Sequence, residues 1–268
     1  MKIKFTFILL LSLSITAVFT ECKKDGTNPI QLNLFSIEDD KSMGLQVNGE
    51  IESDPHQFPL LSETKYANAY THLRRITNEI LNNASMKHRN DFVWQTKIIH
   101  NDSVLNAFCT PGGYIYVYTG LIKYLESEDQ LAGVLGHEIA HADERHTTEA
   151  MTTAFGRDFL IKLILGDSTL AGAVTAGLLD LKYGRGAESE ADLRSVEYLN
   201  KTELDARGVA RFFEKLIASG QAGGPEFLST HPNPENRVEN INNKWKELGS
   251  KVGLTFAERY LEFKKSLP

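Results

Sequence analysis

The sequence predicts an α+β fold with a helical majority. Three observations lead there. Strand-rich segments are confined to residues 92–118, apolar residues recur at helical spacing before and after that stretch, and no segment repeats at solenoid periods. Strands gathered early and helices late distinguish this pattern from the regular alternation of a doubly wound sheet. With 268 residues, 41% of them apolar, the chain can build one large core.

The N-terminus reads as an export segment. Lys2 and Lys4 precede an almost wholly apolar run, 5–19, too short and wrongly flanked for a typical spanning helix. Cys22 follows, then the polar run 23–29, which has the form of a bacterial lipoprotein start. Glu21 is a poor residue before a lipidated Cys, and simple cleavage with release is the alternative. The expected organisation is a signal peptide over 1–21, a tether over 22–35 and one domain over 36–268. If Cys22 carries lipid, Cys109 has no partner for an intramolecular disulfide; its apolar context reads as a buried small residue rather than a nucleophile. The net charge of −6, with no block of Lys or Arg, offers nothing to nucleic acid.

Ser36, followed by Glu38, Asp39 and Asp40, marks a helix start, with the helix running to about Ile51. Tyr66, Ala69, Tyr70, Leu73, Ile76 and Ile80 give a second helix within 63–82. Strands are expected over 92–99, 103–108 and 114–118, with Pro111-Gly112-Gly113 turning the chain between the last two. From Leu121 the chain reads helical almost to its end. The apolar run 159–181 is interrupted by Lys162, Gly166 and Asp167, so it reads as two short core helices or a flap rather than a membrane span.

The segment His137-Glu138-Ile139-Ala140-His141 lies on a helix opened by Glu128 and Asp129. His137 and His141, spaced i and i+4, project from one face about a turn apart. Two neutral imidazoles so placed can share one Zn²⁺ at about 2.0–2.1 Å. Zinc lowers the pKa of a bound water toward about 7, and Glu138 stands where a carboxylate can take its proton. The pattern also arises by chance, so a third ligand is needed. The extended form with Gly and His after the second His is excluded, because Glu144 and Thr147 hold those places. His146 reads as a solvent-facing or capping residue rather than a ligand. Downstream, Gly184 and Gly186 end one helix and open another on which Glu188 and Asp192 share a face. Glu188 is the candidate third ligand and Asp192 the carboxylate that orients an imidazole. The alternative is a solvated acidic helix start, and only the histidine pair upstream tips the reading.

The stretch from Leu131 to His141, followed by Glu188-x-x-Ala191-Asp192, resembles the HtpX-type zinc metallopeptidases, peptidase family forty-eight. That family includes a BepA/LoiP-like periplasmic lipoprotein branch and is related to the CAAX prenyl proteases. The resemblance covers roughly residues 37–241. Asn106-Ala107-Phe108 with Pro111-Gly112-Gly113-Tyr114 resembles the family's edge strand and turn beside the active site. Ser229-Thr230-His231-Pro232, with Arg237 six residues after His231, resembles its His-Pro…Arg segment. Gly184 stands where the family usually has Ser, and Ser195 where Gly is common.

The resemblance implies a gluzincin metalloprotease core, mainly helical, with the HExxH helix and a small β-sheet. His137, His141 and Glu188 would bind one Zn²⁺ per chain, Glu138 would be the base, and Asp192 would orient an imidazole. His231 and Arg237 would lie over the metal, stabilising the oxyanion or gating access; His231 read without the resemblance is equally a turn residue before Pro232. An extended or unfolded polypeptide would pair with a strand edge, the candidate being Val104 to Phe108. The implied function is metalloendopeptidase quality control of misfolded or misassembled envelope proteins, in the periplasm or at the outer membrane of a Gram-negative-type bacterium. Membrane association would come through lipid on Cys22. The alternatives are a zinc-binding chaperone-like lipoprotein and a latent protease in which His231 blocks the metal.

Overall fold

The computed structural model describes residues 33–167, 169–219, 226–231 and 234–268, which belong to one compact unit. The expected signal peptide, Cys22 and most of the tether lie outside the described residues, as does Pro232. The first helix, α1 (Ile37–Ser53), opens with a capping box: Ser36 Oγ accepts from the Asp39 amide at 3.1 Å and Asp39 accepts from the Ser36 amide at 2.8 Å. Its buried stripe is Met43, Val47 and Ile51. The second, α2 (Ala67–Asn83), buries Tyr70, Leu73, Ile76 and Ile80. Tyr70 donates to Leu61 O at 2.9 Å and accepts from the Ile98 amide at 3.2 Å, tying helix to sheet.

Three strands form that sheet: β1 (Gln95–Ile99), β2 (Ala107–Thr110) and β3 (Tyr114–Tyr118), in the order β1-β3-β2. β3 is central, parallel to β1 (Gln95 opposite Tyr114) and antiparallel to β2 (Ala107 opposite Val117). A 3-10 turn over Pro111–Gly113, with Gly112 at φ +76°, joins β2 to β3. The expected strand 103–108 is corrected to 107–110. Asn106 O still accepts from the Tyr118 amide, but β3 ends at Tyr118 and the chain turns helical at Thr119, so 103–105 have no strand opposite them. Asn101 Oδ1 accepts from both the Ser103 amide and hydroxyl in a local turn.

Helices follow almost without interruption: α3 (Thr119–Tyr124), α4 (Glu128–Asp143), α5 (His146–Phe155), α6 (Arg157–Ile164), α7 (Thr169–Leu178), α8 (Arg185–Leu199), α9 (Gly208–Ala218), α10 (Glu226–Thr230), α11 (Pro234–Glu247) and α12 (Ala257–Lys265). The run 159–181 resolves into α6 and α7, which pack on α1; no described helix is long and apolar enough to cross a membrane.

α4 is the axis of the domain, and every one of its residues is buried. It packs on α8 and α9 on one side and on β2 and α2 on the other. A buried helix must match its polar ends. Glu128 pairs with Arg75 and Arg259, and Asp129 with Arg211. Asp143 accepts from the Lys87 and His88 amides and from the Tyr198 hydroxyl. α9 approaches so closely that a Cβ on Gly133 would overlap the Val209 amide nitrogen. Gly133→Ala therefore reverses the usual sign of a helical Gly→Ala exchange. The gain of roughly 1 kcal/mol in propensity is outweighed by overpacking of about 1–3 kcal/mol. Urea unfolding should show a lower midpoint; a midpoint at or above wild type would refute this close packing.

Candidate metal centre

The C-terminal half of α4 points His137 and His141 into the space between α4 and α8. His137 Nε2 and His141 Nε2 face each other at 3.0 Å. α8 begins at the Gly184 cap, with Gly186 inside its first turn, and brings Glu188 across to them. Glu188 Oε1 is 3.3 Å from His141 Nε2, and its Oε2 is 3.7 Å from His137 Nε2. The end of α10 adds His231, whose Nδ1 is 2.9 Å from Glu188 Oε1 and 3.2 Å from His137 Nε2. One ligand atom from each of the four residues lies within 4.8 Å of the other three, and all four residues are buried. This is a cluster that can hold a metal ion.

The surrounding hydrogen bonds orient the ligand atoms. His137 Nδ1 is 3.0 Å from Asp192 Oδ1, and a carboxylate can only accept. The ring therefore carries its proton on Nδ1 and turns the Nε2 lone pair into the cluster, the arrangement that metal-binding histidines use. His141 Nδ1 lies 3.2 Å from His146 Nδ1. His146 is buried rather than solvent-facing or capping; Arg145, in the left-handed region at φ +64°, precedes α5 and turns His146 inward.

Glu138 is fully buried, and neither of its carboxylate oxygens has a hydrogen-bond partner. Its nearest ionisable neighbour in the cluster is His231, Nε2 at 3.5 Å. Burial pushes its carboxyl up to about 7. Burial likewise lowers His137 and His141, favouring the neutral ring that metal binding needs. For Glu188 burial acts upward, but His231, His141 and His137 outweigh it and hold the carboxyl well below its usual range. The donor set of imidazole nitrogens and one carboxylate oxygen, with an unpartnered carboxylate beside it, fits zinc.

Arg237, on α11, is expected over the metal, and it reaches the cluster through the two carboxylates of α8. Its guanidinium grips Asp192 through two bonds of 2.6 Å, is 2.8 Å from Glu188 Oε2, donates to His231 O at 3.1 Å, and rests on the Phe213 ring. In this arrangement Arg237 holds both carboxylates of α8 at the edge of the cluster.

The edge strand lies beside α4, and here too the boundaries shift. Of residues 104–108 only Ala107 and Phe108 belong to β2, and Leu105 O already accepts from the Phe227 amide. Sequence reasoning assigned no role to Tyr183 or Phe227. Tyr183 stacks on His141 with ring centres 3.8 Å apart, and Phe227 stacks on His231 at 4.4 Å. Tyr183 immediately precedes the Gly184 cap, and nothing in its local pattern marks it as a neighbour of α4.

The model of peptidase family M48 matches residues 67–244. Among curated proteins, the mitochondrial metalloendopeptidase OMA1 of Arabidopsis thaliana is 33% identical over 158 residues, 58% of this chain and 32% of that one. The Schizosaccharomyces pombe protein of the same name is 28% identical over 221 residues, 80% of this chain and 64% of that one. The beta-barrel assembly-enhancing protease of Escherichia coli K12 is 29% identical over 186 residues, 63% of this chain and 38% of that one. The chain thus spans less than two thirds of the length of each.

Proposed function

This chain belongs to peptidase family M48, and from that membership and the site geometry we propose that it is a zinc-dependent metalloendopeptidase. The observation that carries the reading is the convergence of His137, His141 and Glu188 beside a buried Glu138 with no hydrogen-bond partner. Those three residues would hold one zinc ion, which when bound supplies an electrophile and acidifies water. Glu138 would accept the proton of the attacking water and pass it to the departing amine. Asp192 keeps His137 in the ligating tautomer, and Arg237 keeps Asp192 and Glu188 in place. The substrate would be an extended polypeptide lying along β2, bound mainly through backbone hydrogen bonds.

The proposed setting is the bacterial envelope, with misfolded or misassembled proteins as substrates and a lipid on Cys22 as tether. This rests on the N-terminal sequence and on the protease names of the relatives. A latent state is a second reading, favoured by one observation: His231 Nδ1 already stands among the ligand atoms, where it would act as a fourth ligand until displaced. A zinc-binding chaperone-like lipoprotein is the weaker alternative, because such a site has no use for Glu138.

Metal removal tests the reading. Purified protein should contain one equivalent of zinc and cleave casein. Treatment with 1,10-phenanthroline should abolish cleavage, and zinc added back should restore it. Casein cleavage that survives complete removal of metal would sink the proposal.

A further inference from the structure

Tyr183 is buried in the loop that leads into α8, and its ring lies against two cluster imidazoles. It stacks on His141 at 3.8 Å with planes 22° apart, and on His231 at 5.2 Å with planes 19° apart. Phe227 stacks on His231 at 4.4 Å and 24°. Aromatic walls from two elements therefore contact His231, and one of them also supports His141.

The far end of the tyrosine is anchored as well. Its hydroxyl shares a 3.3 Å hydrogen bond with Thr147 Oγ1 on α5 and lies 3.9 Å from Cys109 Sγ on β2; Thr147 Oγ1 and Cys109 Sγ are 3.1 Å apart. A phenol in an apolar wall normally requires such partners. Here they come from the edge strand and from the helix that presents His146 to His141. The ring cannot rotate off His141 without breaking this three-membered bond network.

We infer that Tyr183 is a positioning residue of the metal centre: its ring fixes the planes of His141 and His231, and its hydroxyl, held by Thr147 and Cys109, fixes the ring. The inference rests on the metal-centre reading above and deepens it. His141 Nδ1 faces another imidazole, His146, at 3.2 Å, whereas His137 Nδ1 faces the Asp192 carboxylate at 3.0 Å, a stronger, charge-assisted partner. Stacking supplies the constraint that His141 lacks.

Cobalt(II) substituted into the full chain reports ligand geometry through its visible absorption, separately from activity. Tyr183→Leu should change that spectrum and speed cobalt release to a chelator by about tenfold, the lower end of what orienting groups around a metal are worth. Tyr183→Phe keeps the ring and should retain the wild-type spectrum, with a smaller acceleration of release. A wild-type spectrum and release rate in Tyr183→Leu would overturn the inference, and so would a Tyr183→Phe spectrum as altered as that of Tyr183→Leu. Should Tyr183→Leu fail to fold, Thr147→Val unfastens the hydroxyl at constant volume. It should also speed release, and an unchanged rate would overturn the role of the bond network. Absence of cobalt uptake by the wild-type chain is a separate result, which would remove the metal-centre reading itself.

Discussion

Glu138→Gln is expected to lower casein cleavage by about a thousandfold or more, the scale of a lost general base, while zinc content stays at one equivalent. The separation follows from the geometry. Glu138 is not one of the four residues whose ligand atoms converge, so its loss leaves the donor set intact. Its oxygens make no close hydrogen bond, and the approach of His231 Nε2 at 3.5 Å leaves room for an amide of the same shape. A buried carboxylate with no partner is also a cost to the fold. The variant should therefore melt no lower than wild type, a pattern expected of a group kept for chemistry rather than packing. Retained cleavage in zinc-loaded Glu138→Gln protein would exclude Glu138 as the base. Loss of zinc together with cleavage would instead make Glu138 a part of the binding site.

Much of this centre is legible in sequence because helical spacing is local. The i,i+4 intervals of His137/His141 and Glu188/Asp192 each place two functional groups on one face, and the structure brings the two faces together at 3.0–3.7 Å. The Ser36 cap, the α2 stripe and strand β3 are legible for the same reason: each depends on residues within a turn or a strand's length. What escapes is what depends on tertiary approach. The sequence reads Arg237 as a group over the metal that stabilises the oxyanion or gates access, and its grip on Asp192 and Glu188 appears only once α8 and α11 are packed together. His146 reads as solvent-facing because its helical angle is counted from α4, whereas Arg145 breaks the helix and starts a new one. Residues 103–105 have strand-like composition, but the partner strand β3 ends at Tyr118, where α3 begins, and leaves nothing opposite them to pair with. Tyr183 gives no signal at all, since its partners come from β2, α4, α5 and the end of α10.

The two roles open to Arg237 predict opposite outcomes on substitution. As an oxyanion group, its replacement would slow turnover and leave metal and fold untouched. As a clamp, its replacement removes the arginine that pairs with Asp192 and leaves two buried carboxylates one turn apart on α8 without it. The second outcome is expected. Arg237→Met should destabilise the protein by about 3–5 kcal/mol, the range for a buried ion pair with one partner removed. It should also lower bound zinc below one equivalent, because Asp192 would no longer be held against His137 Nδ1. Arg237→Lys should recover little. A single ammonium cannot make both 2.6 Å bonds to Asp192 and also reach Glu188 Oε2 and His231 O, a division that the planar guanidinium achieves with its fork of donors. Thermal melting and metal analysis on the same preparations decide the matter. A stable, fully zinc-loaded and inactive Arg237→Met protein would return Arg237 to the oxyanion role, whereas loss of stability and metal together assigns it to the support of the ligands.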